Sequence, residues 1–195
     1  TLAQRGVRIG VVLDEGGCVV PGSTVGVDGL VANVGLAEKG YADIEISKSG
    51  KAGHSARPGK PNLMADVARA VVKLDENPFP YRVIPEIALQ YRLLAPYAGE
   101  KKELYEDIPG HQEEFFATLE GNPGAAAKFR TTVAMTMAEG SYRPNVMPSK
   151  VSVRINCRPL PGDSIENVLA RFREIIGEES GVQVEMVGGR GPSPV

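Results

Sequence analysis

The chain has 195 residues, 42% of them hydrophobic and 24% charged, with a formal net charge of -2. That length suits one good core, or one domain plus a piece of another. The charge gives no footprint for nucleic acid or an anionic membrane, no apolar run approaches the roughly 18 residues of a membrane span, and the absence of Trp argues against a stacking surface for single strands.

Thr1 opens the chain with no signal-like segment after it, which reads as a boundary inside a longer protein. Residues 7–13, Val-Arg-Ile-Gly-Val-Val-Leu, predict a mostly buried strand that runs into Asp14-Glu15-Gly16-Gly17. An acidic residue at a strand end is either a metal ligand through its carboxylate oxygens or an acidic turn residue. The Gly- and Val-rich stretch to Leu36 predicts short strands and turns leading from one domain to the next. Cys18 and Cys157 are far apart and form neither a metal-type pair nor a disulfide framework. Free thiols suit a reducing, cytoplasmic setting.

From Gly40 the pattern changes. Ala42, Ile44 and Ile46 alternate with Asp43, Glu45 and Ser47, a half-buried strand. The glycine-bounded loop Gly53-His54-Ser55-Ala56-Arg57-Pro58 follows. His54 there is either a donor to an oxyanion or carboxylate, or an exposed loop histidine. An amphipathic helix starts at about Pro61, with Leu63, Val67, Ala70, Val71 and Leu74 on one stripe. The Asn77-Pro78-Phe79-Pro80 cluster ends it. Residues 81–130 predict a helical insertion punctuated by Gly and Pro, and His111 within it reads as part of a polar helix face.

Residues 131–138 return to strand character, with Val133, Met135 and Met137 set to face the core. Lys150–Arg158 alternates cleanly, with Asn145 just before it and Arg158 closing it. Arginine at a strand end binds a carboxylate through two parallel hydrogen bonds, or is a solvated edge charge. Asp163 or Ser164 starts a second helix, with Ile165, Val168, Leu169, Phe172, Ile175 and Ile176 as its stripe, and Asp163 with Glu166 at capping-box spacing. Val182–Val187 predicts a last strand. The order strand, helix, insertion, strand, strand, helix, strand predicts an α+β fold. It is a split βαβ (ferredoxin-like) four-stranded antiparallel sheet with two helices on one face.

Several segments occur together in one order: Asp14-Glu15-Gly16-Gly17, Gly35-Leu36-Ala37-Glu38-Lys39-Gly40, the loop Ser49 to Pro58 around His54, and Asn145-Val146-Met147-Pro148-Ser149-Lys150 with Arg158-Pro159-Leu160-Pro161-Gly162-Asp163. Nearly the whole chain resembles the zinc-dependent exopeptidase and aminoacylase family of carboxypeptidase G, succinyl-diaminopimelate desuccinylase and carboxypeptidase S, most of all the carboxypeptidase S branch. The resemblance implies residues 1–37 as a remnant of a catalytic α/β domain, 38–190 as a lid and dimerisation domain, and 191–195 as the return. It aligns one zinc ligand to Asp14, or to Glu15 if the alignment slips by one, and finds none of the family's other ligands in this chain. Two zinc ions are therefore implied for the parent enzyme and no tight zinc for this chain alone, which would be inactive. His54 takes the lid histidine's role at the oxyanion, reaching the partner subunit's active site. Asn145 and Arg158 take the substrate-positioning and carboxylate-binding roles. The implied parent is a homodimer, paired through the lid, that cleaves the amide of a peptide or N-acyl amino acid beside a free carboxylate. The competing expectation is a non-catalytic dimerisation or small-ligand module of the same fold.

Overall fold

In the computed structural model, which describes residues 1–10 and 17–193, residues 7–10 do not form a strand. Val7 and Ile9 are exposed there; no neighbour among the described residues offers them a ladder, and a strand without a hydrogen-bonded partner is not stable. Residues 11–13 of the expected strand lie outside the described residues; among those described, the first strands are β1 (Val19–Pro21) and β2 (Leu30–Ala32), an antiparallel hairpin.

The next elements follow the alternation and stripes of the sequence. They are β3 (Tyr41–Ser49), β4 (Gly53–His54) and α1 (Leu63–Glu76). The Asn62 side chain caps α1 by accepting from the Ala65 amide at 3.3 Å, satisfying one of the helix's unpaired donors. Four short helices come next: α2 (Pro85–Leu94), α3 (Lys102–Glu106), α4 (Gln112–Ala117) and α5 (Pro123–Ala126). The chain then returns to strands, β5 (Thr132–Glu139), β6 (Val146–Met147) and β7 (Lys150–Arg158), followed by α6 (Ile165–Ile176) and β8 (Gln183–Arg190). Ser164, not Asp163, caps α6, accepting from the Asn167 amide at 3.1 Å. Asp163 is drawn off to Arg82 at 2.9 Å and to the Thr131 hydroxyl. Gly177 ends the helix at φ 86, a conformation that side chains with a Cβ rarely adopt and that glycine reaches at little cost.

Strands β5, β7, β3 and β8 form one antiparallel sheet in that order. Helices α1 and α6 cover one face. Ala42, Ile44 and Ile46 meet Val67, Ala70 and Leu74 of α1 and Val168, Phe172 and Ile176 of α6 in a continuous buried core. The other face carries Asp43, Glu45, Arg154 and Asn156, with Glu45 paired to Lys150 at 2.8 Å and Arg154 at 3.2 Å. Met137 departs from its expected place. The ladder shifts between Met135 and Met137, so that Met135 opposes Ile155 and Met137 opposes Arg154. This one-residue bulge flips the alternation and leaves Met137 58% exposed.

The helical segment builds a second core. Tyr91 packs edge-on to Tyr105 and Phe115 at 4.8 and 4.9 Å, and Phe115 to Phe129 at 5.1 Å. Val25 and Val27, from the turn between β1 and β2, belong to this core, and the Tyr105 hydroxyl donates to the Val25 carbonyl at 2.9 Å. The hairpin is thus fastened to the helices rather than to the sheet. Lys39 ties the two cores together, its Nζ donating to the Ala127 and Arg130 carbonyls at 3.0 and 2.8 Å. Burial at that junction pushes the Lys39 ammonium down to about 8. Among the described residues, no helix is long and apolar enough to cross a membrane.

Candidate functional site

Beyond Ser49 the chain turns through Gly50, whose amide donates to the Ser149 carbonyl at 2.8 Å, and β4 then pairs with β6. Gly53 opposes Met147 and His54 opposes Val146. The Ser55 amide donates to the Asn145 carbonyl at 3.1 Å. The pairing therefore brings His54 and Asn145 together at one end of the sheet, both exposed. Beside them lies an open depression of about 290 Å³, bordered by Ser55, Met64, Arg143 and Met147.

The histidine ring has a defined orientation. His54 Nδ1 lies 3.1 Å from the Ala56 amide. An amide can only donate, so Nδ1 accepts, and the neutral ring carries its proton on Nε2. In its neutral form His54 thus offers an Nε2–H donor. A loop histidine is legible in the sequence; its tautomer depends on the turn at Ala56 and is not. His111, by contrast, turns its Nδ1 to the Asp107 carbonyl at 2.9 Å in its own helical turn.

Arg158 stands at the opposite end. The ladder from Ser49–Lys150 to Ala42–Cys157 takes seven steps along the strand, which at ~3.3 Å each puts on the order of 20 Å between Arg158 and the His54–Asn145 pair. Asn145 is therefore grouped with His54 and not with Arg158. Around Arg158 the structure assembles residues that sequence reading missed. Its Nε donates to Asn156 Oδ1 at 3.1 Å, and its guanidinium lies 4.6 Å from the centre of the Tyr41 ring. Asp43 accepts from the Asn156 amide at 3.0 Å and from the Tyr41 hydroxyl at 2.8 Å. Those two hydrogen bonds, Asn156 first, hold the Asp43 carboxyl below its ordinary value, and the bond to Asp43 pushes the Tyr41 hydroxyl up. Alternation alone put these side chains on the polar face. Only the register, Asp43 opposite Asn156, makes them a group.

Asp14 and Glu15 lie outside the described residues. Among those described, no three His, Cys, Asp or Glu side chains converge, so the described residues do not by themselves fit a zinc site, which needs at least three protein ligands. Cys157, behind the sheet, is buried and its thiol pushed up to about 12 by that burial, while Cys18 is exposed.

A family model described as the peptidase dimerisation domain matches residues 36–183. N-fatty-acyl-amino acid synthase/hydrolase PM20D1.1 of Danio rerio is 30% identical over 196 residues, covering 100% of this chain and 38% of that protein. Probable carboxypeptidase S-like 1 of Dictyostelium discoideum is 30% identical over 191 residues, covering 97% of this chain and 35% of that one. Human carnosine dipeptidase 1, a solved structure, superposes with a TM-score of 0.49 at 14% identity, over 82% of this chain and 38% of that chain. The chain thus spans well under half the length of these relatives.

Proposed function

The chain belongs to the peptidase dimerisation domain family, and from that premise we propose that it is the lid and dimerisation portion of a longer zinc-dependent hydrolase. The substrate class is a peptide or N-acyl amino acid, cut at the amide beside a free carboxylate. This reading extends what the matched relatives are named for, carboxypeptidase S-like proteins and N-fatty-acyl-amino acid hydrolases. We read the sheet as a split βαβ (ferredoxin-like) unit, supported by its strand order, in which the two central strands are the third and the first of the four. The unit would run from about residue 38 to 190, with the helical insertion at 81–130, residues 1–37 and 191–195 leading to and from a catalytic domain.

His54 would donate its Nε2–H to the oxyanion of the tetrahedral intermediate, with Asn145 beside it, and Arg158 would hold the substrate carboxylate. One observation carries the arrangement. His54 and Arg158 lie at opposite ends of the β3–β7 ladder, too far apart to touch one small substrate. A homodimer that sets the His54 end of one lid against the Arg158 end of its partner's active site removes the difficulty. Zinc would be held by residues outside this chain together with Asp14. Two unpaired thiols suit a reducing compartment such as the cytoplasm.

The test is kinetic, on the full-length protein. With Arg158→Ala, hydrolysis of a free-acid N-acyl amino acid should fall while its methyl ester is far less affected. With His54→Ala, kcat should fall for both substrates. Equal effects of Arg158→Ala on acid and ester would remove the carboxylate role.

A further inference from the structure

We infer that Tyr41, Asp43 and Asn156 are positioning residues that fix the Arg158 guanidinium with its two terminal nitrogens presented to a carboxylate. The inference rests on the carboxylate-binding reading of Arg158 given above.

An ionised carboxylate can only accept hydrogen bonds. Asp43 therefore takes the amide hydrogens of Asn156 at 3.0 Å and the hydroxyl of Tyr41 at 2.8 Å. Asn156 is thereby turned so that its Oδ1, not its NH2, faces Arg158, and it accepts from Nε at 3.1 Å. The Tyr41 ring lies against one face of the guanidinium at 4.6 Å, the distance of a cation–π contact. One edge and one face of Arg158 are thus occupied. The terminal edge is left open, and among the described residues Arg158 has no ion pair.

The placement of Asp43 decides the design. In direct contact with Arg158, its carboxylate would occupy the fork that a ligand needs. Held one hydrogen bond away through Asn156, it orients the arginine and leaves the fork free. The backbone supports this geometry. Asp43 and Asn156 are register partners on the two central strands, and Tyr41 and Arg158 project to the same face two residues further along each. At the adjoining edge β8 supplies glycines. A side chain at Gly189 would collide with the Tyr41 backbone, and Gly188 lies beside the Asp43 carboxylate without covering it. An arginine ordered beforehand loses less freedom when its ligand arrives.

The experiment uses the full-length protein with an N-acyl amino acid and its methyl ester, comparing Arg158→Ala, Asn156→Leu, Tyr41→Leu and Tyr41→Phe. Asn156→Leu and Tyr41→Leu should each raise KM for the free acid roughly tenfold, since an unheld fork binds a carboxylate less well, with smaller changes in kcat and in the KM of the ester. Tyr41→Phe keeps the ring under the guanidinium and should restore most of what Tyr41→Leu loses. If Arg158→Ala is selective for the acid but Asn156→Leu and Tyr41→Leu are not, the positioning role is wrong and the carboxylate role stands. If Arg158→Ala shows no such selectivity, both fall together. Should Asn156→Leu fail to fold, the Tyr41→Leu and Tyr41→Phe pair decides in the same way.

Discussion

At the scale of single residues, the proposed chemistry divides between His54 and Arg158, and the two should respond differently to substitution. His54→Ala in the full-length protein should lower turnover on the order of 100-fold, the usual cost of one oxyanion donor, with KM little changed. An unchanged kcat would return His54 to an ordinary loop residue. Asp43 adds a pH signature. Its folded value lies below the ordinary 3.8 because Asn156 and Tyr41 donate to it. A carboxyl so depressed contributes stability that is fully present above its unfolded value and lost as pH falls through the folded one. The order around Arg158 should therefore persist through the usual carboxylate range and disappear only in stronger acid. A carboxyl-carbon NMR titration of Asp43 reads this directly, and a midpoint at or above 3.8 would contradict the hydrogen bonds drawn here. The two thiols give a simpler check. Cys18 is exposed, while Cys157 is buried with its thiol pushed up to about 12. An alkylating reagent near pH 8 should modify Cys18 alone in the native chain and reach Cys157 only after unfolding.

At the scale of elements, β3, β7, α1 and α6 were legible because each carries one strong period. The buried alternation of Ala42, Ile44 and Ile46 and the stripe Val168, Phe172 and Ile176 have one solution each. Other features needed contacts that no local pattern holds. The bulge beside Met137 depends on how β5 meets β7, and the grouping of Tyr41, Asp43, Asn156 and Arg158 depends on register. His54 and Asn145 were each visible as loop residues, yet their meeting is made by the short pairing of β4 with β6. The docking of the β1–β2 hairpin onto the helices was hidden for the same reason, since Val25 and Tyr105 are 80 residues apart. That docking can be tested. Tyr105→Phe removes a donor to the buried Val25 carbonyl, and should cost ~1 kcal/mol while speeding amide exchange in residues 19–32 far more than in the sheet. Uniform acceleration would contradict a local fastening. Phe129, fully buried among Tyr91, Phe115 and Phe116, should cost ~3–5 kcal/mol when replaced by Ala, read as a lowered unfolding midpoint.

At the scale of the whole molecule, the sheet leaves β5 and β8 as its edges and one polar face uncovered by its two helices, the kind of surface a symmetric partner extends or covers. On the proposed reading, which places most zinc ligands outside this chain, the 195-residue chain by itself should neither hold zinc tightly nor turn over an N-acyl amino acid. Stoichiometric zinc in the purified chain would overturn that expectation. The central claim is that His54 and Arg158 of one chain serve different active sites. It is tested most directly by mixing two full-length variants that are each impaired on the free-acid substrate, His54→Ala and Arg158→Ala, letting their subunits exchange, and assaying that substrate. If each site takes Arg158 from one subunit and His54 from the other, every mixed dimer regains one intact site, and random pairing restores roughly a quarter of wild-type activity. If both residues serve the site of their own subunit, no dimer contains an intact site, and the mixture stays as impaired as either variant alone.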